Sequence, residues 1–305
     1  MQHAYVFPGQ GSQSQNMLSD LAVQYPLIKQ YFEEASKILN EDLWEIVQKN
    51  PDDKLNQTQL TQPILLTADV ALFYCLREKN HALPKVMAGH SLGEYAALVC
   101  AEALSFTDAV KLVSKRGEFM QEAVPMGVGA MAAIVGLDDV AVNALCVEAA
   151  QGEIVSPANY NSLGQVVIAG NTAAVERAIE IAKARGAKIA KMIPVSVPSH
   201  CQLMQPAAEK LAVLVEQTEF NLPAIDVIQN TDVQIHKTPQ AMRNALIQQL
   251  TQPVRWVDTV VQMQKNFKIN SITECGPGKV LNGLIKRIDK NIAVDTAETI
   301  LGASQ

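Results

Sequence analysis

Gly89-His90-Ser91-Leu92-Gly93 carries the GxSxG spacing of a nucleophile elbow. A serine on such a corner sits between a strand and a helix, so its hydroxyl projects while its backbone stays close to a bound substrate. Only small residues two positions to either side tolerate that crowding. The residues around the motif fit: 85–88 read as a short strand, and 92–100 are strongly helix-favouring. The helix would aim its first N–H groups and its positive end at the serine, which favours a developing oxyanion.

A serine hydroxyl needs a base. His90 lies within the elbow, where its side chain is expected to point away from Ser91, while His3 and His81 precede the elbow and His236 lies in a polar stretch. His200, in Val197-Pro198-Ser199-His200, follows a strand in a loop restricted by two prolines and is the best candidate by elimination; on the residues alone it reads equally well as a hydrogen-bonded loop histidine. Cys201 beside it does not make a Cys–His pair, because sequential neighbours rarely turn their side chains toward each other. Gly276-Pro277-Gly278-Lys279 is not a phosphate loop: Thr273 stands where the first glycine is needed, and Val280 where Ser or Thr is needed.

The elements that must position these groups alternate in type. A strand over 4–7 meets a sharp turn at Pro8-Gly9-Gln10-Gly11, and helices are expected over 26–39 and 62–78. From 129 the rhythm changes to strand (129–137), helix (to about 150), strands over 154–160 and 165–169, helix (172–184) and strand (187–195). That β-α-β-β-α-β order is the ferredoxin-like one. After 200 the alternation resumes with a helix over 204–217, a strand over 226–229, helices over 239–249 and 253–266, a strand over 271–274 and a helix from 280. The expected fold is α/β: a parallel-sheet, α/β-hydrolase-like catalytic core from 1–125 and 198–305, with a small ferredoxin-like subdomain inserted at 126–197.

Composition narrows the function classes. Hydrophobic residues at 48% and charged ones at 18% describe a folded globular chain. A net charge of −6 is unlike a nucleic-acid surface. The apolar, uncharged run 123–137 is broken by Pro125 and glycines and is too short to span a bilayer. Five dispersed cysteines without a CxxC pair point away from zinc and from a disulfide framework, toward reduced thiols in the cytoplasm.

Taken together, Pro8–Gln13 (PGQGSQ), Gly89–Tyr95 (GHSLGEY), Arg116 in KRGEFMQEA, Val197–Cys201 (VPSHC), Thr251–Trp256 (TQPVRW) and Gly276–Leu281 (GPGKVL) resemble, in order, the malonyl-CoA:acyl carrier protein transacylase family over residues 4–290. The resemblance implies Ser91 as nucleophile, His200 as base, and Gln249 as the residue whose main-chain carbonyl orients the imidazole. It also implies an oxyanion hole from the N–H groups of Gln10 and Leu92. Arg116, which on its residues alone is an ordinary solvated position on a predicted helix, becomes the grip for a substrate carboxylate, with Gln10 and His90 also at the substrate. Malonyl transfer from coenzyme A to an acyl carrier protein in fatty-acid synthesis follows, by a monomer needing no metal or cofactor. Basic docking stretches for an acidic carrier are expected at Lys183, Arg185, Lys188 and Lys191, or at Lys279, Lys286, Arg287 and Lys290. Three other readings stay open: a polyketide-pathway transacylase, an α/β-hydrolase esterase, and a catalytically silent binding module.

Overall fold

The computed structural model describes residues 2–195 and 197–302; positions 1, 196 and 303–305 of the expected units lie outside the described residues. The chain opens with β1 (His3–Phe7), then α1 (Ser19–Gln24), α2 (Pro26–Leu39), α3 (Leu43–Lys49), α4 (Thr58–Glu78), β2 (Val86–Gly89), α5 (Gly93–Cys100) and α6 (Phe106–Ala123). The middle third holds β3 (Gly129–Val135), α7 (Asp139–Ala150), β4 (Val155–Ser162), β5 (Gln165–Asn171), α8 (Thr172–Ala184) and β6 (Ile189–Met192). It is followed by α9 (Gln205–Gln217), β7 (Asp226–Ile228), α10 (Pro239–Gln248), α11 (Trp256–Phe267), β8 (Ser271–Glu274), α12 (Val280–Ile288), β9 (Ala293–Thr296) and α13 (Ala297–Leu301).

This is a mixed α/β fold. A parallel sheet runs in the order β7-β2-β1-β8-β9, and the middle third forms a separate sheet in the order β4-β5-β3-β6 whose strand pairs are antiparallel. The central strands β1, β2 and β8 are almost wholly buried, as expected for a sheet covered on both faces, while the edge strand β9 is partly exposed. Tyr5 and Phe7 face one apolar cluster with α4 and α5, while Ala4 and Val6 face another with Trp256, Val260 and Ile285. The alternation of a strand thus divides the core into two layers.

Helix α4 is long and apolar enough to cross a membrane, but 83% of its most apolar stretch is buried inside the protein. It packs against α2 and α6 as a core helix. It begins at Thr58, a turn before the expected 62. The helix expected at 253 begins only at Trp256, because Val254 is held extended: its N–H donates to Ala158 O, and its carbonyl accepts from Tyr160 N. That bridge ties β4 of the second sheet to the segment leading into α11, beside the site.

Register explains where the chemistry lies. Phe7 sits opposite Gly89, Val6 opposite Glu274, and Ala88 opposite Ile228. The loops carrying Gln10, Ser91, Asn230 and Gly276 therefore leave the parallel sheet at one edge, the carboxyl ends of its strands, which is where ligands bind in open α/β sheets.

Candidate active site

Ser91 has φ +53°, the left-handed backbone that an elbow requires and that a side-chain-bearing residue adopts only under constraint. Two glycines make the corner possible. A Cβ on Gly89 would lie 1.8 Å from the carbonyl carbon of Gly93, and one on Gly93 would lie 2.1 Å from Phe7 O. Asn230 holds the corner from the neighbouring strand end: its Oδ1 accepts from Ser91 N at 2.7 Å, and its Nδ2 donates to Gly89 O at 2.6 Å. The Ser91 N–H is thus taken, and Gly93 N and Glu94 N donate to His90 O and Ser91 O, which leaves Leu92 N at the helix start. Leu92 N and Gln10 N serve no acceptor in the hydrogen-bond network of the described residues, and both residues line the pocket.

His200 lies 109 residues from Ser91 in sequence, and its Nε2 is 2.8 Å from Ser91 Oγ. Its Nδ1 is 2.7 Å from the main-chain oxygen of Gln249. A carbonyl can only accept, so Nδ1 carries the proton and Nε2 is left as the acceptor for the serine hydroxyl. His200 is 3% exposed, and burial, with the Arg116 guanidinium and His90 adding to it, lowers its pKa to about 3. The imidazole is neutral at physiological pH, the form a general base needs.

Arg116 is not a solvated helix residue: it is 1% exposed on α6. Its Nη1 donates to Gln62 Oε1 at 2.9 Å, and its Nη2 to Gln249 Oε1 at 2.9 Å and to Ser91 Oγ at 3.2 Å. Its Nε is buried without a partner, and it forms no ion pair among the described residues. A buried guanidinium held by neutral amides, one edge beside the nucleophile, is an anion site with an unmet demand for negative charge. The pocket over it has a volume of about 240 Å³ and joins Gln10, His90, Ser91, Arg116 and His200 to apolar walls from Met120, Val197 and Leu281.

His90 does turn from Ser91. Its Nε2 lies 2.9 Å from Asn161 Oδ1 on β4, and its ring tilts over Trp256 at 5.6 Å, though it still contributes to the pocket wall. His3 bonds Ser271 and Thr273, His81 bonds Tyr5, and His236 pairs with Asp232, so none of these serves Ser91. Cys201 is buried, with its thiol on Pro198 O, and burial raises its pKa to about 11. All five cysteines are free and buried, and no cluster of His, Cys, Asp and Glu among the described residues could hold a metal ion.

Sequence reasoning missed Gln62, Glu94, Gln229 and Asn230. Glu94 left a signal: it is an acid in a helix whose other residues are apolar or glycine, and every residue of that helix is buried.

Residues 4–294 match the acyl transferase domain family. The malonyl CoA-acyl carrier protein transacylase of Escherichia coli K12 is 54% identical over 287 residues, covering 94% of this chain and 93% of its own. The solved structure of the Coxiella burnetii malonyl CoA-acyl carrier protein transacylase superposes with a TM-score of 0.97 at 53% identity, over 99% of this chain and 96% of that one. A malonyl-transacylase solved in complex with its type II polyketide acyl-carrier protein gives 0.95 at 52%, over 97% of this chain and 96% of that one. The chain therefore belongs to the acyl transferase domain family, among its malonyl CoA-acyl carrier protein transacylases.

Proposed function

We propose that this protein transfers a malonyl group from malonyl-CoA to the phosphopantetheine thiol of an acyl carrier protein, by way of an acyl ester on Ser91. The observation that carries this reading is the buried Arg116 guanidinium, 3.2 Å from Ser91 Oγ and without a carboxylate partner. A thioester bound with its carbonyl at Ser91 brings the far carboxylate of a short dicarboxylic acyl group to that guanidinium, which can bond both its oxygens.

In the first half-reaction His200 Nε2 takes the Ser91 proton as the hydroxyl attacks the thioester carbon. The N–H groups of Gln10 and Leu92 receive the oxyanion. The C–S bond breaks, and the coenzyme A sulfur leaves with the proton from His200. In the second, the carrier thiol gives its proton to His200 and attacks the ester, and Ser91 departs protonated. The Gln249 carbonyl fixes the imidazole tautomer, the part more often played by a carboxylate. A carboxylate paired with Arg116 also removes one cause of the low His200 pKa, so the imidazolium formed during attack costs less with a carboxylated substrate than with an uncharged one.

The finer architecture fits this reading. The elbow at the carboxyl edge of a parallel sheet supports an α/β-hydrolase-like core over 1–125 and 198–305. The order β4-β5-β3-β6 supports a ferredoxin-like subdomain over 126–197, which supplies Met131, Asn159, Asn161 and Val167 to the pocket wall. We expect a cytoplasmic monomer. Lys191, two residues before the pocket residue Ile193, and Lys279, next to the pocket residue Val280, form no ion pair among the described residues and suit an acidic carrier, whereas Lys183 and Arg185 are already paired with Glu180 and Glu148.

Incubation with malonyl-CoA and holo-carrier should shift the carrier mass by one malonyl group. Hydrolysis faster than transfer would refute the reading in favour of an esterase. Fatty-acid synthesis is the pathway we assign. A polyketide carrier is the second reading, favoured by the solved complex of a 52%-identical relative with such a carrier, and relative transfer rates to the two carrier types decide between them.

A further inference from the structure

Glu94 is fully enclosed on α5, three residues after the nucleophile, and takes no part in the reaction described above. Its carboxylate is surrounded by donors. Oε1 accepts from Gln229 Nε2 at 2.8 Å; Oε2 accepts from Asn230 N at 2.8 Å and from Gln249 Nε2 at 3.0 Å. In these contacts both carboxylate oxygens act as acceptors. Burial pushes its pKa up to about 7, and the bonds from Gln229, Asn230 and Gln249 pull the other way.

Gln249 passes this contact on to the active site. An amide can present either end, and for Gln249 the end is fixed by what each face meets. Nε2 lies between Glu94 Oε2 and Ser91 O, both acceptors, so Oε1 must face Arg116 Nη2. The same residue supplies the carbonyl that holds His200. We propose that Glu94 is a positioning residue for acyl selection: it locks the Gln249 amide so that its oxygen anchors the Arg116 guanidinium beside Ser91, in the pose that receives a substrate carboxylate. This rests on the malonyl-transfer reading above.

Reach matters here more than charge. In Glu94→Gln, the amide oxygen can take the place of Oε2 and keep both Asn230 N and Gln249 Nε2. Its NH2 then meets Gln229, whose Oε1 is buried without a partner and can turn to accept it. Glu94→Asp keeps the charge but withdraws it by one methylene, about 1.5 Å, leaving Ser91 O as the single acceptor that holds the Gln249 NH2 and so loosening the amide.

The test is loading kinetics with malonyl-CoA and acetyl-CoA, read as the ratio of their kcat/KM values. Glu94→Gln should hold that ratio within about 3-fold of wild type, while Glu94→Asp should lower it on the order of 10-fold, mainly through KM for malonyl-CoA. Equal losses with both acyl groups would mean a merely structural role, and a larger loss in Glu94→Gln than in Glu94→Asp would mean that charge acts instead; either overturns the proposal. If Glu94→Asp gives no cooperative melt, Gln249→Ala takes its place, since it keeps the main-chain carbonyl and removes the amide. The same fall in ratio is expected, and an unchanged ratio refutes the relay. A wild-type protein that loads no malonyl group fails the functional reading itself; one that loads it while the variant ratios stay unchanged fails only this inference.

Discussion

Arg116→Ala separates recognition from chemistry. In the unliganded site the guanidinium bonds Gln62, Gln249 and Ser91 Oγ and is 1% exposed. With a carboxylate about 4 Å away at an effective dielectric of about 20, the attraction is of the order of 4 kcal/mol. Truncating one partner of such a buried, hydrogen-bonded charge pair costs about 2–5 kcal/mol, or roughly 30- to 5,000-fold in kcat/KM for malonyl-CoA. Acetyl-CoA has no carboxylate to strand, so its loading should change far less. The assay is acyl-enzyme formation by rapid-quench intact mass, with both substrates and both proteins. A thermal melt checks that the buried acceptors Gln62 Oε1 and Gln249 Oε1, which lose their donor, have not unfolded the protein. Equal losses for malonyl and acetyl would refute the assignment, as would malonyl loading within about 3-fold of wild type, well under one decade per 1.4 kcal/mol.

The pH profile follows from His200. A base is active when deprotonated, and its pKa is lowered from 6.5 to about 3, so kcat/KM for loading should hold as pH falls through 6.5; an acid limb centred at or above 6.5 would contradict this. Because the Arg116 charge contributes to that lowering, the acid limb for acetyl-CoA in Arg116→Ala should move to higher pH. Gly89→Ala places a Cβ 1.8 Å from the Gly93 carbonyl carbon and 2.0 Å from its oxygen, with no side chain able to yield. It should destabilise the fold by more than about 3 kcal/mol in denaturant melts, and an unchanged midpoint would show that the elbow is slacker than described.

What could be read from the sequence was local. The elbow is a five-residue pattern with its strand and helix beside it; Gly89 owes its place to a contact within that turn, and Gly93 to the close approach of the β1 end at Phe7. His200 was reachable only by elimination, because the contact joining it to Ser91 is made by the packing of a loop after β6 against the elbow and not by neighbours in the chain. Arg116 reads as solvated because helix periodicity says which face is polar, not that a second glutamine-lined layer covers it. Gln62, Gln249 and Asn230 converge from three elements, so no spacing reveals them. Glu94 was visible as an acid in an apolar helix, although its partners were not. The carboxyl-terminal β9 and α13 went unread for a simpler reason: each is too short to show a period, and β9 exists by pairing with β8.

The residue proposed to carry the acyl group is Ser91, activated by His200. Mixing the protein with malonyl-CoA, quenching in acid and mapping peptides by mass should find one malonyl ester on Ser91, absent from Ser91→Ala while that variant melts like wild type. A malonyl adduct retained by Ser91→Ala, or found on another residue in the wild type, would rule out Ser91 as the acyl carrier.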